Sequence, residues 1–259
     1  RNNYLKIGLV SLLQKQSSLF LLLIFLLSSV LHAEAIVNIE DLRRDGEKGF
    51  FANISGSLSF SRGNRNRDSF SFQTSLDKNT DNLESFFVVQ RARKQINSNN
   101  YDSSTLAHLR LNFLFKESTS LETFYQYSKN PFRMFNKREL FGIGARFMSN
   151  SNLKAGIGLM NEKDEDLSSN TVYTLRMTSY LHNEYIIEEN INFNISGFYQ
   201  PSIESFSDYK ATLIGQFDFF INENFKISLQ YNTFYDSEPP TNAKKKEEGF
   251  ATIFSYNFN

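Results

Sequence analysis

Ala52-Asn53-Ile54-Ser55-Gly56-Ser57-Leu58-Ser59-Phe60-Ser61 sets an apolar or small residue against a polar one at every step. A strand turns successive side chains to opposite faces, so a period of two makes a ribbon with one apolar and one polar face. The pattern returns until the chain ends. Ala107, Leu109, Leu111 and Phe113 alternate with His108, Arg110 and Asn112 ahead of Phe115, and Phe254, Tyr256 and Phe258 alternate with Ser255 and Asn257 after Phe250. Twelve stretches read as strands: 51–61, 69–77, 83–93, 104–116, 121–129, 140–148, 153–162, 171–181, 191–200, 209–220, 225–235 and 250–258. Most of their outward faces are easily named, among them Phe70, Phe72 and Leu76; Phe141, Ile143, Ala145 and Phe147; Ile191, Phe193 and Ile195; Leu213, Phe217 and Phe219. Two strands are less clean. Phe86-Phe87-Val88-Val89 is apolar on both faces, and Tyr180 shares a face with Thr174, Arg176 and Thr178.

The connections decide the architecture. Those after odd-numbered strands (62–68, 94–102, 130–139, 163–170, 201–208 and 236–249) are rich in charge, Asn, Gly or Pro. Those after even-numbered strands are mostly tight: 78–82, 118–120, 149–152 and 222–224. The exception, 182–190, reads as a longer turn or a strand extension. An even strand count with alternating long and short connections describes a closed antiparallel transmembrane β-barrel, with short periplasmic turns, long external loops and both termini periplasmic. Closure also leaves no unpaired backbone edge in lipid. The rival is a secreted β-sandwich, which would bury its apolar faces between two sheets and show no bias of loop length to one end.

Residues 19–31 form an apolar run broken only by Ser28 and Ser29. Arg1, Lys6 and Lys15 precede it, and Ala33-Glu34-Ala35 follows. A basic start, a short apolar stretch and a small-x-small site describe a cleaved signal peptide over residues 1–35. The run is too short to cross a bilayer core, which takes about 20 residues. Residues 36–49 lack a strand period and read as a short periplasmic lead-in to a barrel over 50–259. The expected location is the bacterial outer membrane. Lys plus Arg and Asp plus Glu balance at 28 each, which provides no field for nucleic acid. Cysteine is absent, so neither a disulfide nor a lipid-bearing N-terminal cysteine can form. The negative mean hydropathy suits a barrel, where only every second residue meets lipid.

The chain offers little for catalysis. Beyond the leader it has only His108 and His182. A nucleophilic site needs a Ser beside a His with a third group orienting the ring. His108 has Arg110, not Ser, at the next position on its face, and reads as a lumen histidine in a polar network; His182 reads as an exposed turn residue. Glu162, Asp164, Glu165 and Asp166 could offer oxygen ligands to Ca²⁺, but they lack a binding-loop spacing with a turn glycine and read as a solvated acidic loop. No catalytic residue, metal site or cofactor is implied. The polar face is the richer constellation: His108, Arg110, Asn112, Glu122, Gln126, Arg146, Lys154, Arg176, Lys210, Gln216 and Asp218 are the candidate lumen-lining residues, with Asp77 and Gln73 among them. Such groups either select solutes in an open pore or pair across the lumen and plug it. Gly142, Gly144, Gly156 and Gly158 face the same way and either relieve curvature or make room for a large side chain or solute. Asp236, Pro239, Pro240, Lys244, Lys245 and Lys246 mark the last external loop as a candidate binding surface, solvated or set against lipopolysaccharide phosphates.

Several stretches carry a resemblance: Ser61-Arg62-Gly63-Asn64, Ala107-His108-Leu109-Arg110, Glu122-Thr123-Phe124-Tyr125-Gln126-Tyr127, Tyr199-Gln200-Pro201-Ser202 with Phe206-Ser207-Asp208-Tyr209, and Tyr235-Asp236-Ser237-Glu238-Pro239-Pro240 with Lys244-Lys245. In combination they resemble the YdiY-like family of salt-induced outer membrane proteins, a domain-of-unknown-function family numbered 481. The resemblance implies a closed barrel in a Gram-negative outer membrane and no particular activity. Barrels of this type often end on an aromatic residue read by the barrel-insertion machinery; here Phe258 is penultimate and Asn259 last. The expected partners are outer-membrane lipid, lipopolysaccharide and that machinery, with no nucleic acid. The expected function is a passive small-solute or ion channel, or an envelope-stabilising protein in a stress response. The alternatives are a surface-binding barrel acting through its external loops and, less favoured, a lipid hydrolase.

Overall fold

A computed structural model of the chain describes residues 38–43, 47–61, 67–116, 118–149 and 152–258. The expected leader lies outside them. A 3-10 turn, Glu40–Leu42, precedes twelve strands: β1 (Gly49–Ser61), β2 (Arg67–Asn79), β3 (Leu83–Ile96), β4 (Asn99–Lys116), β5 (Thr119–Asn130), β6 (Phe135–Met148), β7 (Leu153–Asp166), β8 (Thr171–Glu188), β9 (Ile191–Pro201), β10 (Tyr209–Phe220), β11 (Phe225–Asp236) and β12 (Lys246–Phe258). Each pairs antiparallel with its sequence neighbours, and β12 pairs back onto β1 to close a barrel.

The interior and exterior are inverted relative to a water-soluble sandwich. Phe141 is 59% and Ile157 52% exposed, while His108 and Asn112 are fully buried. Phe87, Leu109, Ile143, Leu213 and Phe217 continue the outer apolar belt. Aromatic rows border it. Tyr209 stacks between Tyr199 and Tyr235, with ring centroids 5.5 Å from each, where the strands leave for the longer loops. At the end that carries both described termini, Phe193 packs on Phe217 at 4.7 Å and on Tyr185 at 6.2 Å. Apolar belts flanked by aromatic girdles suit a bilayer. Because the chain has no native cysteine, spin labels on Leu111→Cys and Phe193→Cys would report this surface cleanly. In reconstituted protein both labels should be more accessible to oxygen than to a water-soluble relaxant; the reverse would contradict the barrel.

All twelve expected strands are present, and most run further than their apolar alternation. Residues 182–190 are mainly an extension of β8, and β7 absorbs most of the expected acidic loop. The 94–102 connection shrinks to a turn at Asn97 and Ser98, whose φ angles are 48° and 67°. Backbone pairing does not require apolar side chains, so polar strand tips read as loops. The longest connection between described strands is 237–245. The lead-in does not hang outside the wall: residues 38–43 fold into the lumen, where Ile39 is buried and the Arg43 side chain is fully enclosed.

Candidate functional site

The parity of the strands sends His108, Arg110, Asn112, Glu122, Gln126, Arg146, Lys154, Arg176, Lys210, Gln216 and Asp218 inward, and all eleven are buried. They belong to separate layers rather than one ring.

At the terminus end, the 38–43 segment supplies the counter-charges that the wall lacks. Glu40 accepts from Arg146 Nη2 at 3.0 Å and lies 3.7 Å from Lys154 Nζ. Arg43 donates to Glu40 at 3.0 Å and to Glu122 at 2.7 Å, and also pairs with Glu84. Tyr180 donates its hydroxyl to Glu122 at 3.0 Å, and Asn112 donates to Glu84 at 3.0 Å. Asn38 reaches Ser196 on β9 at 3.0 Å. Six strands, β3 and β5–β9, thus hold one short segment. A buried charge is stable only when paired and hydrogen-bonded, so the wall and the segment depend on each other. Beside this layer Asp218 accepts from Asn194 and Gln216, each at 2.9 Å, and pairs with Lys226 at 3.1 Å.

The middle layer is apolar. Phe124, Leu140, Met160 and Phe198 form a buried cluster against Tyr180 and Ile214. Arg110 caps it, its guanidinium carbon 5.0 Å from the centre of the Phe124 ring. Two of the inward glycines explain themselves here. A Cβ on Gly142 would lie 2.3 Å from Phe124, and one on Gly156 would lie 2.1 Å from Tyr180. Glycine at these positions leaves space for the rings. By contrast, the wall from β12 to β2 carries small inward groups: Ser55, Ser57, Ser71, Ser75 and Ser255.

Toward the loops, Glu162 is buried among Arg138, Arg176 and Lys210. Arg138 forks onto Asp164 with two bonds of 2.6 Å, and Arg176 onto Asp208 at 3.0 and 3.1 Å. The acidic group read as one solvated loop therefore splits: Glu162 and Asp164 face inward, while Asp166 caps its own turn through the Ser168 and Asn170 amides. Above lies a cup of about 560 Å³ lined by Asp164, Asp208, Lys210, Asp236, Glu238 and Pro240, among others. Asp236 is buried, 4.0 Å from Lys210. The basic run divides too. Lys246 pairs with Glu248 at 3.0 Å, while Lys244 borders a small niche with Pro239, Pro240 and Arg133. The Lys245 carbonyl accepts from the Asp236 amide. Glu162→Gln leaves three cations around a neutral amide. Breaking such a buried network costs about 3–5 kcal/mol, and urea unfolding of the folded barrel should show it, whereas exposed Glu248→Gln should stay within about 1 kcal/mol.

The histidines do not match the expectation equally. His108 contacts Gln126 through Nδ1 at 3.1 Å and accepts from Arg110 at 3.4 Å, as a lumen network residue would. His182 is not an exposed turn residue. It is buried on β8, with Nδ1 2.8 Å from Ser196 Oγ. The pair sits in the lumen beside Asn38, on the opposite side of the wall from the exposed apolar belt. No group of three or more His, Asp or Glu residues among the described ones has metal-binding geometry.

The family model described as "Protein of unknown function, DUF481" matches residues 54–258. Among solved structures, the barrel is similar to the NanC porin at 9% identity and a TM-score of 0.51, covering 81% of this chain and 99% of that one. It is similar to the translocator domain of the autotransporter NalP from Neisseria meningitidis at 8% identity and 0.54, covering 85% and 92%. It is also similar to the COG4313 outer membrane channel from Pseudomonas putida F1 at 10% identity and 0.52, covering 86% and 100%. At such identities the likeness concerns the fold. No curated protein matches the chain significantly.

Proposed function

We propose, for a chain that belongs to the DUF481 family of proteins of unknown function, an outer-membrane channel that rests closed. The exposed apolar belt between aromatic rows supports the membrane placement. Two of the similar barrels are named as a porin and an outer membrane channel. The observation that carries the channel reading is the 38–43 segment. It is not part of the wall, yet it occupies the lumen through ion pairs to Glu84, Glu122, Arg146 and Lys154. A plug held by polar contacts can leave without dismantling the hydrogen-bonded wall. Solutes then pass beside the apolar cluster, along the serine-lined side from β12 to β2. Charged groups on the facing strands set ion preference.

Planar bilayers test this. Folded parent protein should give rare, small conductance steps, and a variant with a disrupted plug should give frequent ones. Silence from both would overturn the channel. An envelope-stabilising role in a stress response belongs to the same proposal, and growth of cells lacking the protein in high salt tests it.

A further inference from the structure

We propose that the lipid-facing surface of β3–β5, near their loop ends, docks a phosphorylated glycolipid of the outer leaflet through Arg91, Arg93 and Lys129. This rests on the outer-membrane reading, which turns the loop end outward. Alternation places Arg91 and Arg93 on the same outer face as Phe87 and Val89, and Lys129 on that of Tyr125 and Tyr127; all three cations are exposed. Thr105 pairs with Arg91 on one side and Lys129 on the other. At a strand spacing of about 4.8 Å, the two cations stand about 10 Å apart across that threonine. Arg93 lies one pleat further out, opposite Ser103. Immediately below are Val89, Ala107 and Tyr127, and Phe72 and Phe70 on β2 stand directly opposite Arg91 and Arg93. The cations therefore sit where apolar wall gives way to polar strand tips.

The rest of the rim is an internal control. Lys137 and Lys163 lie 2.9 and 3.3 Å from Glu139, which also accepts from Tyr125 at 2.8 Å. Lys246 meets Glu248, which accepts from Tyr231 at 2.6 Å. Outward cations there have outward carboxylates. On β3–β5 no outward cation makes an ion pair among the described residues, although the Glu139 that holds Lys137 and Lys163 stands opposite Tyr127, one pleat from Lys129. Arg93 donates to the neutral Asn100 at 2.6 Å, and neither Arg91 nor Lys129 makes an ion pair among the described residues. Asp102 is engaged by Lys94 on the inner side, and Asp68, on the outer face of β2, stands opposite Gln95, one pleat beyond Arg93, and is engaged elsewhere. Three like charges at a bilayer boundary repel one another until an anion arrives. A phosphate accepts forked bonds from arginine and a point contact from lysine, with the Ser103 and Thr105 hydroxyls between them. Acyl chains would lie on Phe87, Val89, Ala107 and Leu109. That combination fits a phosphorylated, many-chained lipid rather than a soluble anion.

Purified folded barrel in nonionic detergent should be titrated with diphosphorylated lipid A, dephosphorylated lipid A and phosphatidylglycerol, with bound lipid read by native mass spectrometry. The parent should favour diphosphorylated lipid A by about tenfold or more over both others. The triple variant Arg91→Gln, Arg93→Gln, Lys129→Gln should lose that preference, and the double variant Lys137→Gln, Lys163→Gln should keep it. Lys129→Glu alone gives a milder second reading, and heat-modifiable gel mobility verifies folding of each protein. Undiminished preference in the triple variant, equal loss in the double variant, or a parent indifferent to the phosphates would overturn the site. A protein that stays dispersed without detergent would instead defeat the membrane reading beneath it.

Discussion

Arg43→Glu is expected to open the barrel. The Arg43 guanidinium joins Glu40 at 3.0 Å, Glu122 at 2.7 Å and Glu84, so one cation satisfies three carboxylates. A glutamate there would place four acidic groups together in an enclosed layer. Like charges at such range cost several kcal/mol where water is scarce, and the segment can relieve that cost by leaving. The expected result in planar bilayers is a rise in open probability of at least about tenfold, since only about 1.4 kcal/mol is needed for that factor. A lock supplies the converse. Asn38 and Ser196 touch at 3.0 Å, and the background has no cysteine. Asn38→Cys with Ser196→Cys should hold the segment in the lumen and keep conductance low under oxidant, and release it under reductant. If Arg43→Glu folds and remains as quiet as the parent, residues 38–43 are not the closure.

Gly158→Val is expected to prevent the barrel from forming. An added Cβ would stand 2.3 Å from the Ile143 carbonyl oxygen and 2.6 Å from the Gly144 Cα. Those are backbone atoms of the paired strand, in register at Gly144 and Gly158, so no rotamer change relieves the clash. Overpacking of this kind costs at least about 1–3 kcal/mol even where side chains can yield; here the alternative is to break β6–β7 pairing. Refolding into detergent or lipid should give no heat-modifiable species. Gly197→Ala is the matched control, because its Cβ meets nothing within 4 Å, and its stability should stay within about 0.5 kcal/mol of the parent. A Gly158→Val barrel as stable as the parent would mean that β6 and β7 do not approach this closely.

Much of the wall was legible in the sequence because a strand reports itself locally. The two-residue period around Ile54 or Leu109 marks the strand and its outer face together. The same parity sends Arg146 and Gln126 inward without knowledge of their partners. It also sends Phe124, Leu140 and Phe198 inward, yet an apolar side chain in an alternating strand invites assignment to the lipid side, so the central cluster went unread. The plug was opaque for a different reason. Residues 38–43 have no period, and the bonds that place them join positions far apart in the chain, such as Glu40 with Arg146 and Asn38 with Ser196. His182 was misread because polar composition resembles a turn, whereas the β8–β9 ladder continues through it, pairing His182 with Ser196.

Closure of the ring is uneven. Among the described residues, β1 and β2 are registered from Gly49 opposite Asn79 to Ser61 opposite Arg67, whereas β1 and β12 are registered only from Ala52 opposite Phe258 to Gly56 opposite Phe254. Every other junction is also tied by a covalent hairpin; this one has no such tether. A hoop fastened by a short clasp parts at the clasp when stretched, so lateral tension in the bilayer would unzip the first strand from the last before it disturbed any hairpin. On the described residues, mechanical strength around the circumference is thus set by this short closing ladder, not by the breadth of the sheet.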